Sequence, residues 1–286
     1  MKILVEVSSK NNLYLDKVDG IILPLEKYSV ESICYFSLDE IIEISKESCE
    51  VFVKINKNLS NSDILEIKEI LLKLNQSNIK GILFYDLAIL QLKNELNLSV
   101  DLVWNQTHMV NNYKTCDYYY SKGVKYAVLG KEITLEEVIE IINKSKITSM
   151  VEVISKPSVA FSKRKLISNY SMDSKTKNTN QLVIKEKVTD TFYKVIEDDN
   201  GTTFYQDTIT NGTSIIRDLF QANCKYIIIK EFGLEDIMNS LLIDTKKYVD
   251  NKCLEKDYVD KYKVLGDNTN FFFKKTIYRV KKDEKN

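Results

Sequence analysis

The residues best placed to do chemistry in this chain are polar ones that close apolar runs. Asp86 ends Gly81 to Tyr85 (GILFY); Gln106, Thr107 and Asn112 follow the run that ends at Trp104; Lys131 and Glu132 follow Val124 to Leu129; Glu152 stands inside MVEVI, Met150 to Ile154. Carboxylates, amides and an ammonium at the ends of buried strands can orient a polar ligand or exchange protons with it. Each also has a plainer structural reading, because Asp, Asn and Thr after a strand are ordinary caps and turn formers. His108 is the only histidine, which excludes mechanisms that need two imidazoles in one chain. A lone histidine in a polar loop is more often a hydrogen-bonded surface residue than a catalyst. The sequence contains no GxSxG, no HExxH and no glycine-rich phosphate loop, so no nucleophile and base can be paired from it.

The elements that must position these residues alternate along the chain. Strand patterns fall at Lys2 to Val7, Gly20 to Leu25, Glu50 to Ile55, Gly81 to Tyr85, Val100 to Trp104, Val124 to Leu129 and Met150 to Ile154. Helical patterns lie between them. One opens at Ser37 with Glu40 three residues on, a capping box. Ser62 to Leu74 carries Ile64, Ile67, Ile70, Leu71 and Leu74 at helical spacing, and Leu87 to Leu96 and Thr134 to Lys144 follow. An eighth strand, Lys225 to Lys230, comes after a helix at Ser214 to Ala222. Eight such units predict an α/β fold, a (β/α)8 TIM-type barrel. In that fold the loops after the strands open at one end of the sheet. Asn56, Asp86, Gln106, Lys131, Glu132 and Lys230 are therefore expected at the same mouth.

The alternation breaks between about 156 and 211, which reads as an insertion after the seventh strand. Ser162 to Lys187 carries Lys163, Arg164, Lys165, Lys175, Lys177, Lys185 and Lys187 against Asp173 and Glu186. Such a stretch is either a solvated loop or an arm that contacts nucleic-acid phosphates, with Lys163, Arg164 and Lys165 as the RNA-binding candidates. Leu182 to Ile184, Thr191 to Ile196 and Thr202 to Tyr205 then read as hairpin strands around the turn Asp198-Asp199-Asn200-Gly201. The expected organisation is a barrel over 1–250 with this insertion, and a C-terminal extension over 251–286. In the extension, Phe271 to Phe273 and Thr276 to Val280 are expected to pack on the body.

Composition sets outer limits. The chain has 286 residues, 44% of them hydrophobic, with 41 basic and 41 acidic side chains, so no global charge draws it to nucleic acid or membrane. Only 2 prolines and 8 glycines argue against a sandwich of many short strands. The 5 cysteines, Cys34, Cys49, Cys116, Cys224 and Cys253, are scattered. They fit neither a disulfide framework nor a zinc site and suit a reducing cytoplasm. No metal or other cofactor is expected. The N-terminal apolar run is too short for a signal peptide, no window approaches a membrane span, and the richness in Ile, Lys and Asn fits an AT-rich bacterial genome.

From Lys54 to Thr134 the chain resembles the U32 peptidase family, also called collagenase-like proteases, some of whose members are regarded as RNA or ubiquinone hydroxylation factors. The matching words are Gly81 to Asp86; Asn105-Gln106-Thr107 with Asn112 behind it; and Gly123-Val124 leading to Leu129-Gly130-Lys131-Glu132 and Thr134 to Glu137. Ser158 to Tyr170 is similar to the family's signature segment, and Phe272 to Lys281 to its common ending. Family members that carry an iron-sulfur cluster have cysteines flanking and following the signature. Between Cys116 and Cys224 this chain has none, and Val159 and Lys165 stand about where the first two would be. Lys163-Arg164-Lys165 replaces the family's glycine-arginine-cysteine word. The resemblance implies a cluster-free member, an accessory partner of a larger cluster-bearing paralogue in tRNA base hydroxylation. The alternatives it leaves are a peptidase, as the family name suggests, and a small-molecule-binding barrel.

Overall fold

The structure is a computed structural model that describes residues 1–106, 108–174, 179–188 and 190–274. Thr107, Lys175, Lys177 and Thr276 to Val280 lie outside the described residues. Seven short, β-branched-rich segments form the first strands: β1 (Lys2–Glu6), β2 (Gly20–Pro24), β3 (Glu50–Ile55), β4 (Gly81–Phe84), β5 (Asp101–Trp104), β6 (Tyr126–Val128) and β7 (Thr148–Ser155). The insertion follows as β8 (Ser158–Ser162), β9 (Gln181–Lys185), β10 (Phe192–Asp198) and β11 (Gly201–Gln206). After it come β12 (Thr210–Asn211) and the eighth barrel strand, β13 (Tyr226–Lys230).

The barrel strands are all parallel and run in the order β7-β13-β1-β2-β3-β4-β5-β6. Pairing of Tyr126 with Thr148 and Val128 with Met150 closes the ring. Helices α1 (Leu38–Ile44), α2 (Ile64–Asn75), α3 (Leu87–Glu95), α4 (Tyr113–Ser121) and α5 (Leu135–Lys144) connect these strands. Helix α6 (Leu166–Ser174) belongs to the insertion, α7 (Ile216–Gln221) leads into β13, and α8 (Met238–Val249) and α9 (Glu255–Lys261) follow it. The expected capping box at Ser37 and Glu40 is present, and Thr134 and Glu137 form a second. No described helix is long and apolar enough to cross a membrane.

Because successive strand residues point to opposite sides, two apolar sets separate. Leu4, Ile22, Phe52, Leu83, Val103 and Met150 fill the lumen. Their neighbours Ile3, Ile21, Val51, Ile82 and Leu102 face the helices. That parity decides which polar residues can look into the mouth.

The described part of the insertion is a structured layer. Its antiparallel sheet runs β8-β11-β10-β9. Part of the basic stretch forms α6, whose first backbone N–H groups meet a buried carboxylate: Ile167 N and Ser168 N donate to Glu197 Oε2 at 2.7 and 3.2 Å. A carboxylate at a helix start satisfies donors that would otherwise lack partners. The β10–β11 turn is fastened to the barrel's loops. Tyr35 Oη donates to Asp198 Oδ2 at 2.5 Å, Asn200 Nδ2 to Ser29 O at 2.9 Å and Lys57 Nζ to Asn200 Oδ1 at 3.0 Å. The sheet thereby lies across the C-terminal ends of the barrel strands. At the chain's far end, Phe272 is buried and its carbonyl accepts from Leu135 N at 2.9 Å, while Phe273 is exposed.

Gly20 shows how tight the barrel is. A Cβ there would meet Glu50 O at 2.5 Å and Leu4 Cδ2 at 2.9 Å. Gly20→Ala should cost about 1–3 kcal/mol, as overpacking does, read as a lowered midpoint in urea unfolding.

Candidate functional site

Four barrel strands end in a charged layer above the lumen's apolar filling. Glu6 is two residues beyond Leu4, Lys54 two beyond Phe52, Glu152 two beyond Met150 and Lys230 two beyond Ile228, so all four point inward. Lys131, just past β6, joins them. Lys54 Nζ lies 2.9 Å from Glu6 Oε1 and Lys230 Nζ 3.7 Å from Glu6 Oε2. Lys230 Nζ is 3.0 Å from Glu152 Oε2, and Lys131 Nζ 3.2 Å from Glu152 Oε1. The result is a ladder, Lys54–Glu6–Lys230–Glu152–Lys131, in which two carboxylates are shared among three ammoniums.

The remaining valences are filled locally. Ser32 Oγ donates to Glu6 Oε1 at 2.8 Å, Ser155 Oγ donates to Glu152 Oε1 at 2.6 Å, and Lys54 Nζ also donates to Glu31 O at 3.2 Å. Burial would push both carboxyls up, but the Lys230 and Lys54 ammoniums around Glu6, and those of Lys131 and Lys230 around Glu152, hold both below the usual carboxylate range. Burial likewise opposes the charged form of Lys230, and Glu152 and Glu6 outweigh it and raise its pKa. For Lys54 burial prevails over the pull of Glu6, and with the nearby Lys230 charge its pKa is lowered.

Above the ladder a cavity of ≈ 470 Å³ opens, roofed by β8 of the insertion. Lys54, Lys131, Lys230 and Glu152 form its charged wall. The same inward parity brings Tyr85, two beyond Leu83, and Asn105, two beyond Val103, to its rim. Among the described residues, the side chains of Glu31, Glu132, Asn58, Asn105 and Gln206 line it without hydrogen-bond partners, and so does the His108 imidazole. Free amides and carboxylates around fixed ammoniums can bind and orient a polar ligand. Ser158 also lines the cavity, and among the described residues no base meets its hydroxyl.

The site residues expected from sequence divide in two. Lys131, Glu132 and Glu152 meet at this cavity. Asp86, Gln106 and Asn112 lie at the same end of the barrel but outside the cavity wall, in cap and loop roles. Asp86 and Gln106 follow Phe84 and Trp104, which carry the helix-facing parity. Asp86 accepts Ala88 N at 2.9 Å, capping α3, and Leu59 N at 2.9 Å. Gln106 Nε2 donates to Tyr85 O. Asn112 caps α4, accepting Thr115 N at 2.9 Å. The residues not singled out in advance, Glu6, Lys54 and Lys230 as ion partners, do carry a sequence signal: each is a charge inside or ending the C-terminal part of an apolar strand.

Lys163, Arg164 and Lys165 sit exposed on the flank of the roof, just past β8. Lys163 Nζ donates to Asn58 O at 3.1 Å and Lys165 Nζ lies 3.2 Å from Asp199 Oδ1. Among the described residues the Arg164 guanidinium has no acceptor, and neither Glu132 nor Glu152 pairs with it.

The donor set for an iron-sulfur cluster does not fit. No cysteine lines the mouth, and Val159 and Lys165 offer no thiolate. Cys116 and Cys224 are buried, and burial pushes their thiols up to about 12 and about 11, away from the thiolate form a cluster requires.

The model of peptidase family U32 matches residues 18–229. A curated protein of Bacillus subtilis (strain 168), tRNA hydroxylation protein P2, is 26% identical over 283 residues, which cover 88% of this chain and 90% of that protein. A U32 peptidase of known structure is 15% identical over 54% of this chain and 69% of its own, with a TM-score of 0.43. A tryptophan synthase α-subunit from Pyrococcus furiosus is 10% identical over 91% and 98%, with a TM-score of 0.45.

Glu152→Gln removes the counter-charge of two ammoniums and should cost about 3–5 kcal/mol, as breaking a buried pair from one side does, whereas exposed Glu132→Gln should change stability by no more than about 0.5 kcal/mol. Urea unfolding of both variants checks this. Since the pKa values of Glu6 and Glu152 are depressed on folding, their contribution is complete above the ordinary glutamate value of 4.5 and is lost as pH falls below it. The wild-type urea midpoint should therefore drop in that acid range, with a shallower drop in Glu152→Gln.

Proposed function

This chain belongs to peptidase family U32, and from that premise we propose that it serves in the cytoplasm as an accessory subunit for hydroxylation of a tRNA base, beside a larger, cluster-bearing family member. The observation that carries this reading is the likeness to tRNA hydroxylation protein P2 over nearly the whole of both chains. The lack of cysteine at the mouth supports an accessory role, because redox chemistry at a cluster would have to come from a partner. The barrel mouth would then hold a polar ligand between the ladder and the free amides of Asn58, Asn105 and Gln206. The roof's flank would meet tRNA phosphates through Lys163, Arg164 and Lys165.

Peptide hydrolysis, the activity in the family's name, needs an activated nucleophile or a metal-bound water. Ser158 without a base supplies neither, so the accessory reading is preferred. Affinity purification of the tagged chain from its own cells should recover a longer U32 protein, and deletion should lower hydroxylated nucleoside in total tRNA measured by mass spectrometry. Recovery of the chain alone with unchanged tRNA would overturn the proposal, and casein hydrolysis by a protease-free preparation would favour the peptidase.

The three cations are not equivalent. Lys163 and Lys165 already have protein acceptors, so Arg164 is the one most available to a phosphate. Arg164→Ala should reduce the slope of log K against log salt for tRNA binding by about 0.7–0.9, one phosphate contact, with the thermal midpoint unchanged. A lost midpoint with an unaltered slope would assign Arg164 a structural role.

A further inference from the structure

The roof carries an interaction surface that none of the mouth chemistry uses. Strand β9 is an end strand of the insertion sheet, and no described strand pairs with its outer side. The register with β10 tells which backbone groups are left over. Glu186 N donates to Thr191 O and Glu197 N to Asn180 O, with Lys185 opposite Phe192 and Gln181 opposite Ile196. In an antiparallel ladder hydrogen-bonded pairs alternate, so Asn180, Leu182, Ile184 and Glu186 turn their amides toward β10. Gln181, Val183 and Lys185 turn theirs outward, where the Thr179 hydroxyl accepts from Gln181 N at 3.3 Å and donates to Gln181 O at 3.1 Å. The side chains along this edge are also apolar and uncovered: Val183 is 68% exposed and Ile184 40%. A free, apolar edge is a template for strand addition.

The edge complements itself. An antiparallel second copy whose Val183 lies opposite Val183 of the first puts Leu182 opposite Ile184 and Gln181 opposite Lys185. The Val183 amides then meet each other's carbonyls directly, the Gln181 and Lys185 groups pair as the Thr179 hydroxyl turns away from Gln181, each apolar residue meets an apolar one, and no like charges face each other. Sliding by two residues in either direction sets Val183 against Lys185 or Gln181 and loses that match. We propose that β9 joins β9 of a second copy of this chain about a two-fold axis at Val183, so that two insertion sheets run together as one. Such an isologous contact closes on itself. It leaves both barrel mouths free, and it stands whether or not the tRNA reading does.

Sedimentation equilibrium of the purified full chain, over a series reaching high micromolar concentrations, should give the mass of two chains. Val183→Lys places two ammoniums together at the axis, and Val183→Pro removes an outward N–H that β10 does not use. Both should sediment as one chain with an unchanged thermal midpoint. Val183→Cys supplies a positive geometric test: opposite Cα atoms in a hydrogen-bonded antiparallel pair are about 5.5 Å apart, inside the roughly 4.4–6.8 Å that a disulfide spans. Under mild oxidant this variant should form a cross-linked dimer on a non-reducing gel where the wild type does not. A wild-type chain that remains single overturns the proposal. So does a two-chain mass that survives Val183→Lys and Val183→Pro, or a Val183→Cys variant that fails to cross-link. Slow amide exchange of Val183 in a single-chain species would point to cover from within the same molecule and would overturn it equally.

Discussion

Two carboxylates shared among three ammoniums tie together the upper end of this barrel. The ladder starts on β3, skips β2 to reach β1, and then passes between neighbours through β13 and β7 to the loop just past β6, so it follows the ring of strand ends. Charges this deep are costly to bring out of water, and well-packed apolar residues would serve stability as well or better. What the ladder does that leucines could not is leave the floor of the mouth polar and fixed in position. Remove either carboxylate and two ammoniums lose the charge that separates them, one of them entirely and Lys230 down to its other partner. The geometry of the cavity therefore depends on the whole set, not on any one pair.

The insertion turns that open mouth into a cavity. Its sheet departs from β7 through Lys156 and Pro157, crosses the strand ends, and is fastened on the far side where Asp198 and Asn200 meet Tyr35, Ser29 and Lys57. A buried carboxylate, Glu197, anchors α6 to the same sheet through its first backbone amides. Burial would push this carboxyl up, but the Ser168 hydroxyl and the Ser168 and Ile167 N–H groups hold it below the usual range. The roof is therefore held by polar contacts at both the turn and the helix start. Its cations remain outside on the flank, where the solvent, and any large anionic partner, can reach them.

The cysteine pattern and the mouth fit the same account. A thiolate cluster needs sulfur donors that converge, whereas this chain keeps two of its thiols in apolar surroundings that disfavour ionisation and presents none to the cavity. At the mouth stand carboxylates, amides, ammoniums and an imidazole, groups that can bind, orient or exchange protons with a polar ligand.

The eight strands, their parallel sense and the shared end for the polar loops were legible in the sequence alone, because apolar runs of strand length alternated with helical stripes and capping boxes. So was the hairpin material around Asp198 to Gly201. Membership of the mouth was legible only in part. Glu152 was conspicuous as a charge within an apolar strand, and Lys131 and Glu132 followed a strand closely enough to reach the rim. Asp86 and Gln106 looked equally suitable, yet each stands one residue out of phase with the lumen, and a single step along a strand reverses the direction of a side chain. Phase is set by which face of each strand meets the lumen, and that is decided only when all eight strands close. The same closure makes partners of Glu6, Lys54 and Lys230, which are far apart in the chain and adjacent only around the ring. The basic segment is the clearest case of tertiary control. Its composition reads as a solvated loop or a phosphate-contacting arm, and its described residues become helix and strand because Glu197 and the β10–β11 hairpin, both later in the chain, supply the hydrogen bonds they could not make alone.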